Sequence, residues 1–238
     1  MGADDLLPGV LNFRDTGGLV AEGGVSRSGV LFRSGMPWVA DTPAGLARLG
    51  IRRIVDLRAD DELAHAPIPD RVEVPVVRIP LFAGSSDSFF AENITLGQLY
   101  ASIVDDSADR VVDVVRAVLA EQPVLVHCTV GKDRTGVTVA LMLAAAGVDE
   151  GAVIADYART ETLLPAARNR AVVAYLQRMI PHATTIEELA TKSPASVMAT
   201  LLADLRSRYG APAEFLRAHG LGDDEIIELR RVLIAPTP

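Results

Sequence analysis

The stretch Val124-Leu-Val-His127-Cys128-Thr129-Val130-Gly131-Lys132-Asp133-Arg134-Thr135-Gly136 decides how the chain is read. Its β-branched apolar start predicts a buried strand, its middle a short loop around Gly131, and the apolar run over 136–147 a buried helix. Strand, turn and helix in that order aim several backbone N–H groups at the helix start, where the helix dipole adds positive potential. That point accepts an oxyanion. Cys128, the single cysteine of the chain, stands at its entrance.

Working outward, residues 10–19 predict a short strand running into a glycine turn. Further strands are predicted over 29–33, 52–58 and 74–81. Residues 42–50 carry an N-cap, a proline at the first helical position and a closing glycine, so they predict a short helix; 60–65 predict a helical turn. Residues 82–93, with three serines and three phenylalanines, predict a surface loop able to fold over a site. Residues 95–121 are helical in period, with a break near Ser107. After Gly147 no further strand is evident, and 149–159, 162–180, 184–190, 195–208, 212–219 and 223–234 all suit helices. Strands alternating with helices before Cys128 imply an α/β fold, a mainly parallel central sheet flanked by helices, with a helical C-terminal half. We expect one domain over 1–238. Its segment 160–195, broken by Pro165, Pro181 and Pro194, is a candidate lid over the loop.

Composition narrows the function classes. The 238 residues are 49% hydrophobic, enough for a sizeable core. The 23 basic against 31 acidic residues give a net charge of -8, which excludes a general nucleic-acid or anionic-membrane surface. One cysteine forms no internal disulfide and fits a reducing compartment. Neither a signal-peptide pattern nor an apolar run near the roughly 18 residues of a spanning helix is present, so a cytoplasmic protein without integral membrane association is expected. Rival motifs fail on spacing. A nucleotide-binding loop needs glycine where Val126 stands and Ser or Thr where Asp133 stands. His65, His182 and His219 form no zinc-ligand pair with Cys128, and no second cysteine is available to resolve a mixed disulfide.

The chemistry follows from the residue types. At the bottom of an anion-binding loop Cys128 is a thiolate nucleophile at neutral pH. Arg134, six residues on, brings a planar fork that matches a tetrahedral oxyanion better than a lysine point charge does. Thr135 can give a hydroxyl hydrogen bond to the sulfur. The pattern reads as phosphoryl transfer to sulfur followed by hydrolysis, or as a binding module that holds phospholigands without turnover.

The run His127-Cys128-Thr-Val-Gly-Lys-Asp-Arg134-Thr-Gly resembles the Cys-x5-Arg-Thr phosphate-binding loop of cysteine-dependent protein tyrosine phosphatases. Its Gly-Lys-Asp-Arg-Thr-Gly form, with Asn12-Phe-Arg14-Asp15 and Asp56-Leu-Arg58 upstream, is similar to the bacterial tyrosine and phosphoinositide phosphatase branch typified by secreted mycobacterial enzymes. The likeness spans roughly residues 10 to 175. It implies a phosphatase-like fold, a covalent cysteinyl-phosphate, and no metal or cofactor. Cys128 is then the nucleophile and Arg134 the clamp, with the loop amides of Thr129, Val130, Gly131, Lys132, Asp133, Arg134 and Thr135 as phosphate ligands. Expected substrates are phosphotyrosine proteins or small phosphomonoesters. Lys132 admits phosphoinositides, phosphoserine and phosphothreonine remain open, and secretion without a signal peptide is compatible with the likeness.

One departure matters. The Trp-Pro-Asp loop of better-known tyrosine phosphatases is missing, since Trp38 follows Pro37. Asp133 is the first candidate for the general acid and Asp87 the second. Each candidate has a structural alternative. Lys132 and Asp133 can simply pair on the surface. His127 is expected to brace the loop, Arg14 and Asp15 to form a strand-end ion pair brought near the pocket, and Asp56 with Arg58 to brace the sheet end. Tyr157 and Arg159 read as surface residues.

Overall fold

The computed structural model describes residues 7–39, 42–81 and 92–236. Its five-stranded sheet has β1 (Arg14–Asp15) at one edge, then β4 (Leu31–Ser34), β7 (Val124–His127), β5 (Arg53–Asp56) and β6 (Val76–Arg78). β1 runs antiparallel to β4; the remaining three pairings are parallel. The predicted strand into Cys128 is thus the central one, hydrogen-bonded on both sides, and all four of its residues are buried.

Period-two alternation sorts the two faces. Leu31, Val55, Val124 and Val126 face one apolar cluster, while Phe32, Ile54 and Leu125 face the other. The smaller cluster is closed by Leu7, Val10, Phe13 and helix α1 (Thr42–Arg48) through Leu46. The larger one is covered by α3 (Leu96–Asp106), α4 (Ala108–Ala120), α5 (Asp133–Ala145) and the later helices α9 (Ala195–Tyr209), α10 (Pro212–Ala218) and α11 (Asp223–Leu233). Between strand β5 and β6 lies α2 (Asp60–His65). The predicted break at Ser107 separates α3 from α4, and its hydroxyl donates to the Leu81 carbonyl. Thr95 caps α3 by accepting from the Gln98 amide.

One expectation is corrected. A strand does follow Gly147: β8 (Ile234–Pro236) pairs antiparallel with β3 (Gly24–Ser26), which pairs with β2 (Val20–Ala21) to make a second, three-stranded sheet. Three residues ending in proline carry no readable alternation, so only a partner across the fold makes them a strand. The approach is close. A Cβ on Gly24 would stand 2.0 Å from the Ala235 carbonyl oxygen.

The segment 160–195 contains the end of α6 (Glu150–Leu163), then α7 (Ala166–Met179) and α8 (Ile186–Thr191). α7 buries no residue, whereas α8 buries Ile186, Leu189, Ala190 and Thr191.

Candidate active site

The loop between β7 and α5 is shaped by what holds its carbonyls. Gly131 has φ +74°, and a Cβ there would stand 2.3 Å from the Ser34 carbonyl carbon, so only glycine fits. Its carbonyl is tied down twice, by Asn12 Nδ2 at 2.6 Å and by Arg33 Nη2 at 3.1 Å. The Thr129 carbonyl accepts from the Met36 amide at 3.1 Å. Gly136 N–H reaches Lys132 O at 2.9 Å as the first intrahelical bond of α5, so the donors before it belong to the mouth of the loop.

Cys128 is 3% exposed. Its sulfur accepts the Gly131 amide proton at 3.3 Å. Arg134, also buried, has its fork engaged bidentately by Glu62: Nη2 to Oε1 at 2.7 Å and Nη1 to Oε2. Glu62 takes a further hydrogen bond from the Thr129 hydroxyl. Burial alone would raise the Glu62 pKa; the Arg134 hydrogen bonds and charge, with Thr129 and the Ala59 amide, bring it down to about 2. Glu62 is an ionised partner of the arginine that sequence reading missed.

Lys132 and Asp133 do pair, Nζ to Oδ1 at 2.6 Å, but Lys132 is only 2% exposed, so the pair is not the expected surface contact. Nζ also donates to the Lys192 carbonyl at 2.9 Å, which brings the end of α8 against the loop. Asp133 Oδ1 accepts a second hydrogen bond, from the Tyr100 hydroxyl at 2.9 Å, and the Tyr100 and Tyr157 hydroxyls are 2.7 Å apart. Tyr157, expected at the surface, is fully buried. Arg159 remains half-exposed and pairs with Asp156 at 3.7 Å.

His127 is fully buried next to Cys128. Its Nδ1 is 3.0 Å from the Cys128 carbonyl and its ring meets Trp38 edge-on at 5.2 Å. Burial lowers its pKa despite Asp56 at 3.8 Å, so the imidazole is neutral. Asp56 and Arg58 form the expected brace, with Nη2 to Oδ2 at 2.8 Å.

Arg14 and Asp15 part company. Arg14 lies behind the loop: Nε donates to Asp156 Oδ1 at 2.8 Å, and its Nη1 holds the Asn12 side chain that in turn holds Gly131. Arg33 meets the other oxygen of Asp156 at 3.0 Å. Burial, then the neighbouring Arg33, lowers the Arg14 pKa to about 10 against the pull of Asp156. Asp15 instead caps the glycine turn, accepting from Gly17 and Gly29 amides at 2.9 and 2.8 Å, and forms no ion pair with Arg14. Asp87 lies outside the described residues, as does most of the loop that carries it. The Thr135 hydroxyl is buried without a partner among the described residues.

Beside the loop opens a cavity of about 300 Å³ lined by Met36, Arg58, Glu62, His65 and Thr129 among others. Among the described residues no group of three His, Cys, Asp or Glu could hold a metal ion.

A buried cysteine at the C-terminal end of a central parallel strand, followed by a glycine turn and by an arginine in the first turn of the next helix, defines a cysteine-dependent phosphatase. The match to the tyrosine phosphatase family covers residues 6–235, and the chain belongs to that family. It is a protein-tyrosine phosphatase of the bacterial branch that includes the triple specificity protein phosphatase PtpB of Mycobacterium tuberculosis, to which it is 31% identical over 96% of this chain and 98% of that protein. A tyrosine-protein phosphatase of Nostoc commune is 29% identical over 78% of this chain and 67% of its own. Among solved structures, Pseudomonas aeruginosa TpbA is 24% identical over 66% of this chain and 84% of that one, at a TM-score of 0.38, a partial overlap only.

Proposed function

We propose that the chain hydrolyses phosphotyrosine through a cysteinyl-phosphate formed on Cys128. The observation that carries the reading is the Gly131 amide donating to Cys128 Sγ at 3.3 Å, with Arg134 in the first turn of the helix that follows. The thiolate attacks phosphorus, the bond to the tyrosyl oxygen breaks, and Asp133 gives that oxygen its proton. Water then attacks phosphorus, Asp133 takes a proton from it, and the sulfur leaves as thiolate. Arg134 and the amides from Thr129 to Thr135 hold the equatorial oxygens, and the unpartnered Thr135 hydroxyl is available to the sulfur.

Phosphoserine, phosphothreonine and phosphoinositides extend the substrate range in this reading. Support comes from Lys132, a buried cation in the loop, and from the mycobacterial relative, which is named a triple specificity protein phosphatase. The chain works as a single unit over 1–238, with 160–195 as a lid whose Lys192 carbonyl accepts a hydrogen bond from Lys132 of the loop. No helix of the described residues is long and apolar enough to cross a membrane.

The test is hydrolysis of an aryl phosphate in chelator, wild type against Cys128→Ser, followed by a panel of phosphotyrosine, phosphoserine and phosphoinositide. Expected is activity in chelator that the substitution abolishes. Activity surviving in Cys128→Ser sinks the cysteine mechanism; phosphopeptide binding without turnover in wild type makes the chain a binding module.

A further inference from the structure

We propose that Tyr100 is a positioning residue for the proton donor: its hydroxyl, backed by Tyr157, fixes one oxygen of the Asp133 carboxyl and leaves the other to serve the leaving group. The proposal rests on the reading of Asp133 as general acid.

Asp133 is 22% exposed, and the two contacts of its side chain converge on Oδ1: Lys132 Nζ at 2.6 Å and Tyr100 at 2.9 Å. A carboxylic acid carries one proton, and an oxygen already accepting from two donors is the poorer seat for it. Oδ2 is therefore the atom that takes up and releases the proton. The hydroxyl chain has one direction. Tyr100 has a single proton and spends it on Asp133, so at 2.7 Å Tyr157 must be the donor to Tyr100. Tyr100 is fully buried, and burial together with the Asp133 charge keeps it protonated, a permanent donor rather than a competing acid. The rings that carry the hydroxyls are fixed edge to face, centroids 6.0 Å apart at 87°, and Tyr157 is pressed against Gly136, where a Cβ would come within 3.2 Å of its ring. The pair thus ties α3 and α6 to the first turn of α5, where Asp133 stands.

The measurement is kcat/KM of the full chain on two aryl phosphates, p-nitrophenyl phosphate, whose leaving group needs little proton help, and phenyl phosphate, whose leaving group needs more. Asp133→Asn sets the scale: general acid catalysis is worth roughly 10²-fold or more, so this variant should lose about that on phenyl phosphate and far less on the nitrophenyl ester. Tyr100→Phe keeps the ring and deletes the hydroxyl. We expect a loss of about tenfold on phenyl phosphate and within about threefold on the nitrophenyl ester, with Tyr157→Phe following the same contrast more weakly. Equal losses on both esters, or none, overturn the positioning role, because a merely structural defect lowers both alike. Should Tyr100→Phe fail to bind vanadate with wild-type affinity, Tyr157→Phe carries the test by the same contrast. Equal losses in Asp133→Asn take down the acid assignment and the proposal together, whereas a contrast in Asp133→Asn without one in the tyrosine variants removes the proposal alone.

Discussion

At the scale of single residues the arginine of the loop is already spoken for. Glu62 grips both terminal nitrogens of Arg134 and also the Thr129 hydroxyl, so the guanidinium is aimed before any phosphate arrives. Glu62→Gln keeps the shape and removes the charge. We expect kcat/KM for an aryl phosphate to fall about tenfold, since misaiming a clamp costs transition-state binding. The same contact predicts a pH dependence. The Glu62 pKa is held below its unfolded value, at about 2, so its contribution is present above about pH 4.5 and is lost as the pH falls toward 2. Acid denaturation of Glu62→Gln compared with wild type reads that difference, expected to be about 3 kcal/mol at neutral pH and to vanish toward pH 2. Cys128 and Arg134 were legible because their six-residue separation is a property of one turn. Glu62 was not, because it stands on a different helix, and nothing in Asp60 to His65 distinguishes it from a solvated acidic first turn until α2 is seen beside the loop.

At the scale of elements, α6 serves the loop from two sides through consecutive residues. Asp156 binds Arg14 and Arg33, which pin the loop carbonyl at Gly131 directly or through Asn12, while Tyr157 faces Tyr100. Both were unreadable from sequence, since helical periodicity alone does not say that the faces bearing Asp156 and Tyr157 meet β1, β4 and α3. Asp156→Asn leaves two buried guanidinium groups short of a counter-charge, and we expect a loss of about 3 to 5 kcal/mol in chemical denaturation. Helix α7, in the proposed lid, behaves oppositely. Because α7 buries no residue, its amides should exchange with deuterium well before those of α5, which is buried along almost its whole length. Equal protection of the two would argue against a lid.

At the scale of the molecule, the parallel sheet was readable because β-branched runs alternate with helical periods, and the parallel order β4, β7, β5, β6 brings the ends of β4, β5 and β7 to one edge, where ligands of open α/β sheets bind. The small second sheet was not, because β8 owes its conformation to β3 and to Arg27, whose guanidinium reaches the Val232 and Ile234 carbonyls at 3.2 and 2.8 Å. A last consequence comes from the lone thiol at the bottom of the loop. With one cysteine in 238 residues, every equivalent of an alkylating reagent that the folded chain consumes is one catalytic centre counted. Mass spectrometry of iodoacetate-treated protein should show a single adduct whose extent equals the fraction of activity lost, and inorganic phosphate should slow both in step.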